Sequence, residues 1–132
     1  MLLLAGVVAG VVYILFSEVK RDVRGVRRRE IIGGARVAVK SDVNTDDIDP
    51  VMGTAIDVAR SVGLSPVVTS ALRPADRGSL HKVGRALDFR TRHLADSESR
   101  RVASEMQNKL GDDWDVIAEF NPNHIHVEYD PN

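Results

Sequence analysis

The chain opens on sixteen residues without a charge, Met1 to Phe16 (MLLLAGVVAGVVYILF). A helix made of them would be apolar on every side rather than along one stripe. At ~1.5 Å per residue it would reach ~24 Å, and extension through Val19 with a snorkelling Lys20 brings it near the ~30 Å of a bilayer core. A basic stretch before the run and a small-x-small cleavage site after it, the marks of a signal peptide, are both missing. The expectation is therefore an uncleaved membrane anchor over residues 1–19, with a signal sequence or a buried core helix as alternatives. Glu18 to Glu30 is rich in helix formers apart from Gly25, so the helix is predicted to continue as a basic stalk over 20–34 until Gly33-Gly34 breaks it.

Amphipathic periodicity then takes over. Asp49-Pro50 reads as an N-cap with proline at the first helical position, and Val51, Met52, Ala55, Val58, Ala59 and Val62 form one stripe ending at Gly63. Val67–Ser70 and Ala86–Phe89 read as short strands. Asp96 is placed to cap a second helix, whose Val102, Met106 and Leu110 follow at i, i+4 and i+8 before Gly111. Trp114–Glu119 and Ile125–Tyr129 are strand-like runs on either side of the turn-forming Asn121-Pro122-Asn123, which predicts a hairpin. The expected fold is α+β, a small and mainly antiparallel sheet with flanking helices, preceded by the N-terminal hydrophobic helix. The folded domain is assigned to residues 35–132.

A chain of 132 residues excludes a two-domain enzyme, and 43% apolar with 28% charged residues excludes a disordered one. Without cysteine there is no disulfide scaffold, thiol nucleophile or thiolate zinc site, so a metal would need His, Asp or Glu. The net charge of −1 conceals six basic residues (Lys20, Arg21, Arg24, Arg27, Arg28, Arg29) against three acids between positions 17 and 30. No aromatics interleave with them, and they follow the apolar run directly. That favours a membrane flank over nucleic acid. The expected location is a single-pass membrane protein of a bacterial inner membrane or a virion membrane. The positive-inside rule would then turn its domain to the cytoplasm or the particle interior.

Three of the four histidines have informative company: His81 with Asp88 seven residues on, and His124-Ile125-His126. In a strand, i and i+2 share a face, so His124 and His126 project together, with Glu128 next. Two imidazoles and an aspartate supply the ligand types of a catalytic zinc that keeps one position for water. The alternative is a surface histidine pair and an unrelated turn aspartate. His93 reads as a solvated loop residue, Trp114 and Tyr129 as packing for the hairpin, and Asp42, Asp46, Asp47 and Asp49 as turn and cap residues.

Ser79-Leu80-His81-Lys82-Val83-Gly84-Arg85-Ala86-Leu87-Asp88 resembles the S-x-H-x-x-G-x-A-x-D signature of the zinc D-alanyl-D-alanine carboxypeptidases and L-alanyl-D-glutamate endopeptidases, which belong with lysostaphin-type peptidases and the sonic hedgehog fold. His124-Ile125-His126-Val127 resembles that group's H-x-H motif, and Val68–Arg73 its arginine-bearing strand. The resemblance spans roughly Val67 to Asp130. It implies His81, Asp88 and His126 as zinc ligands, with His124 beside the metal as a base or as a stabiliser of the tetrahedral intermediate. Arg73 would hold a scissile carbonyl or a peptide carboxylate, and Ser79 would orient its loop or touch substrate. Several relatives carry Glu three residues before the last zinc histidine, but position 123 is Asn. Glu119 is then preferred as the base, and Glu128 is the other candidate or a partner that holds a ligand histidine.

The activity implied is hydrolysis of an amide in the stem or cross-link peptide of bacterial peptidoglycan, as a DD-carboxypeptidase or an endopeptidase, with Zn2+ as cofactor and a phage or virion association open. A non-catalytic zinc-stabilised module and a structural membrane protein are the rival readings.

Overall fold

The computed structural model describes residues 28–75 and 78–131. Six strands form one sheet: β1 (Arg28–Ile32), β2 (Ala35–Val39), β3 (Val67–Ser70), β4 (Ala86–Arg90), β5 (Trp114–Glu119) and β6 (His124–Tyr129). Two helices, α1 (Met52–Ser61) and α2 (Asp96–Leu110), and one 3₁₀ turn (Leu80–Val83) complete it. The spatial order is β1-β2-β3-β4-β6-β5, and every neighbouring pair is antiparallel except β2 with β3. The sheet is therefore mixed, as α1 provides the crossover that a parallel pair requires.

Side-chain alternation divides the sheet into two faces with different tasks. One presents Val37, Val39, Leu87, Phe89, Val116, Ile125 and Val127, all buried, and both helices cover it. Helix α1 contributes Met52, Ile56 and Ala59, and α2 contributes Val102 and Met106. Each large apolar side chain fully buried there stabilises the fold by about 1.5–3 kcal/mol. Trp114 stacks at 5.0 Å on its cross-strand partner Tyr129, as the packing role assigned to this pair requires. Among the described residues no α-helix covers the opposite face, which carries His124 and His126.

Several expectations need correction. Arg28–Ile32 is a strand, not the end of a helical stalk. Gly33 and Gly34, both at positive φ (55° and 84°), close a hairpin that pairs it with β2, so the sheet already begins at Arg28. Residues 1–19 and 20–27, on which the hydrophobic helix and the rest of the stalk were placed, lie outside the described residues. Among the described residues no helix is long and apolar enough to cross a membrane, which overturns the expected single-pass membrane location. Asp96 is the first residue of α2 rather than its cap, and lends its charge to the first turn beside Glu98. Asp49 does receive the Val51 N–H on Oδ1 at 3.0 Å and the Arg85 guanidinium on Oδ2 at 3.2 Å.

Candidate metal centre

The site begins with the register of three strands. β4, β6 and β5 align Asp88 with His126 and Ile117, Arg90 with His124 and Glu119, and Ala86 with Glu128 and Asp115. Because cross-strand partners share a face, Asp88, His124, His126, Glu119 and Glu128 all stand on the helix-free side. His81 arrives from outside the sheet. Its 3₁₀ turn starts where the Ser79 hydroxyl accepts the His81 backbone N–H (3.2 Å) and ends on Gly84. Gly84 sits at φ 74°, and a Cβ there would lie 2.4 Å from the Asp47 carbonyl oxygen. Only glycine permits both the left-handed turn and this close approach.

His81, Asp88 and His126 thereby converge, each offering a ligand atom within 4.8 Å of the others. Asp88 Oδ1 lies 3.3 Å from His81 Nε2 and 2.9 Å from His126 Nδ1. A tetrahedral ion with bonds of ~2.05 Å would set ligand atoms about 3.3 Å apart, so the spacing suits one. The outer ring nitrogens are engaged as well. His81 Nδ1 donates to the Ala71 carbonyl at 2.6 Å, and His126 Nε2 donates to Glu128 Oε1 at 2.7 Å. Each contact fixes a tautomer that leaves the inward nitrogen as the ligand atom, the arrangement usual for metal-bound histidine. These residues can hold a metal ion, and His81 is wholly buried.

The electrostatics point the same way. Burial opposes charge on Asp88, but hydrogen bonds from His126 and His81 outweigh it and hold the carboxyl well below the usual carboxylate range. Burial likewise opposes charge on His126, yet its bonds to Asp88 and Glu128 raise its pKa from 6.5 to about 9. Without a metal, the proton on His126 supplies the positive charge that the two carboxylates demand.

His124 stands apart from this group, as the resemblance implies. Its Nδ1 faces the Pro122 carbonyl oxygen at 2.7 Å and its Nε2 faces Glu119 Oε1 at 3.0 Å, with Asp88 Oδ1 at 3.9 Å. Both near partners are acceptors, and Nε2 lies farther from Asp88 than the ligand nitrogens of His81 and His126 do. Glu119 and Glu128 divide accordingly, one on His124 and the other on His126. Arg73 follows β3, and its backbone N–H donates to the His81 carbonyl (3.0 Å), which ties that residue to the ligand turn. Arg73 and Ser79 both line the cleft of about 1020 Å³ that opens over His124 and His126. His93 is exposed and takes no part.

The same cleft is walled by Lys40 and Asn44 on one side and by Arg90 and Arg92 on another, none of which was singled out from sequence. For Arg90 the signal was present: counting by two from Asp88 along β4 puts it on the same face. The wall at 40–44 had no such signal, since it comes from a loop more than thirty residues upstream. No protein-family model matches the chain, and no curated protein or solved structure matches it either.

Proposed function

We propose that this protein is a zinc-dependent peptidase that hydrolyses an amide in bacterial peptidoglycan peptides, akin to the D-alanyl-D-alanine carboxypeptidases and L-alanyl-D-glutamate endopeptidases whose motifs it resembles. The observation that carries the reading is that Asp88 and His126 of the His81–Asp88–His126 group line the cleft, with His81 buried behind them and the His124–Glu119 pair beside them. A purely structural site would be closed by a fourth protein ligand, whereas the group found among the described residues has three, two of them lining the cleft, which suits catalysis. Two nitrogens and one carboxylate oxygen suit zinc and also other imidazole-binding ions such as Fe(II), so the choice of zinc rests on the motif resemblance.

When bound, zinc supplies Lewis acidity to the scissile carbonyl and the attacking water. The chain's residues do the rest. Glu119 accepts the proton of the attacking water, and its hydrogen bond to His124 keeps that ring aimed at the reacting carbonyl. Once Glu119 has taken that proton, the His124 Nε2–H is released from it to donate to the oxyanion as charge develops there. Arg73 holds a substrate carboxylate or carbonyl from the opposite side, and Ser79 fixes the turn that delivers His81. Glu128 orients His126 and takes no proton from the substrate.

The test is mass spectrometry of purified peptidoglycan incubated with the zinc-loaded full chain, which identifies both activity and the bond cut. Loss of a terminal alanine would define a carboxypeptidase, and internal cleavage an endopeptidase. Bound zinc with no muropeptide hydrolysed would instead identify a non-catalytic zinc-stabilised module.

A further inference from the structure

Arg28 belongs to the basic cluster of residues 17–30, yet its half-buried side chain folds back onto the chain. It pairs with Val39, whose side chain is fully buried on the helix-covered face, so Arg28 leaves the sheet on the side away from the cleft. From there its guanidinium gathers the backbone of the loop after β2. Nη1 donates to the carbonyls of Ser41 (2.9 Å) and, more weakly, Lys40 (3.5 Å), and Nη2 donates to that of Val43. Nε is held by Glu30 at 2.8 Å, which fixes the fork. This is the geometry in which arginine outperforms lysine, because a planar fork reaches several acceptors at once.

The loop it gathers is the wall of the cleft. Lys40, Asp42, Val43 and Asn44 line it. Two further backbone bonds pin the loop's ends, Lys40 N–H to Val68 O and Leu72 N–H to Asn44 O, both at 2.9 Å. The second leads directly to Ala71 and Arg73, the residues that receive the His81 ring and face the cleft. Between those pins, Arg28 holds the middle of the loop.

We propose that Arg28 is a positioning residue for substrate, fixing the Lys40–Asn44 wall from behind so that the cleft is shaped before the substrate enters. The proposal rests on the peptidase reading for its kinetic consequence, and on the loop alone for its structural one. The His81 turn also has supports that do not pass through the wall, in Ser79 and in the Arg85 N–H to Leu80 carbonyl bond, and these hold the metal group when the middle of the wall loosens.

Three measurements on the full chain test this. In Arg28→Ala, hydrogen exchange should quicken at the Val43 and Leu72 amides but not at Arg85. The zinc-binding constant, titrated with zinc alone, should stay within twofold of wild type. KM for soluble muropeptides should rise about tenfold, the value of one lost charge-assisted hydrogen bond, with kcat nearly unchanged. Arg28→Lys, which keeps the charge but not the fork, should fall between the two and stands in if Arg28→Ala does not fold. Glu30→Gln, whose amide oxygen still accepts from Nε and which keeps all three carbonyl contacts, should leave KM within twofold of wild type. Unchanged exchange at Val43 and Leu72, loss of zinc, or a fall in melting temperature with KM unaltered would each overturn the proposal. If the wild-type chain cleaves no muropeptide, the peptidase reading fails, and the positioning of the wall is then decided by exchange alone.

Discussion

At the scale of single residues, the centre separates side chains by what their second atom touches. His126 and His124 are two positions apart on one strand and on one face, yet His126 brings Nδ1 to 2.9 Å from Asp88 Oδ1 with Glu128 on its other nitrogen, whereas His124 Nε2 lies 3.9 Å from that oxygen and 3.0 Å from Glu119. Replacing His81, Asp88 or His126 with Ala should abolish binding of zinc, since two remaining ligands make a poor site. His124→Ala should keep the metal and lose most hydrolysis, and release of zinc from this variant would show that the pair is divided wrongly. The two glutamates give a sharper contrast. Glu128→Gln replaces the carboxylate that orients His126 with a neutral amide, a weaker acceptor, so zinc affinity in a competition titration should fall ~10–100-fold. Glu119→Gln should bind zinc normally while turnover drops ~10²–10⁴-fold, the usual loss on removing a general base. If the two outcomes are exchanged, the base is Glu128.

At the scale of elements, the 3₁₀ turn is the part most sensitive to small change. Gly84→Ala would combine a left-handed φ of 74° with a Cβ 2.4 Å from the Asp47 carbonyl oxygen. The backbone must shift, and thermal melting of the metal-free protein should show a loss of at least ~1 kcal/mol, whereas Gly111→Ala, with open space around it, should cost less. Elements whose pattern and environment agree were legible in the sequence. Val67–Ser70 and Trp114–Glu119 have the bounds read from β-branched content and turn signals. The ligand turn was legible through its motif resemblance, and in the structure Gly84 has a steric reason for its place and Ser79 a hydrogen-bonding one. Arg28–Ile32 was not legible: RREII is composed of adequate helix formers, and only pairing with Ala35–Val39 across Gly33-Gly34 makes it a strand. Tertiary pairing overrides propensity in such a segment. The cleft wall at 40–44 was hidden for a related reason, as nothing local marks a loop whose role is set by strands distant in sequence.

At the scale of the whole molecule, one face of the sheet secures the fold and the other holds charge together, so stability and metal binding are linked through pH. In the metal-free protein the folded pKa of His126 is raised from 6.5 to about 9. A raised pKa gives stabilisation that is complete below 6.5 and is lost as pH climbs from there to about 9. Asp88 has the opposite sign: its folded pKa lies below the ordinary 3.8, so its contribution is complete above that value and fades in stronger acid. The protein with chelator present should therefore melt highest between about pH 4 and 6.5 and lower progressively toward pH 9. Zinc must displace the His126 proton to reach Nδ1, so its affinity should rise up to tenfold per pH unit across the same window. A ligand that binds only the folded state stabilises it by about 2.7 kcal/mol at a hundred times its dissociation constant. The gap between melting temperatures with zinc and with chelator should accordingly widen from pH 6 to 8.5, by scanning calorimetry at fixed free zinc. His126→Asn should flatten both curves, since it removes the titrating ring. A gap that narrows as pH rises, or a chelator curve with no decline above pH 6.5, would mean that His126 does not hold the proton that the metal replaces.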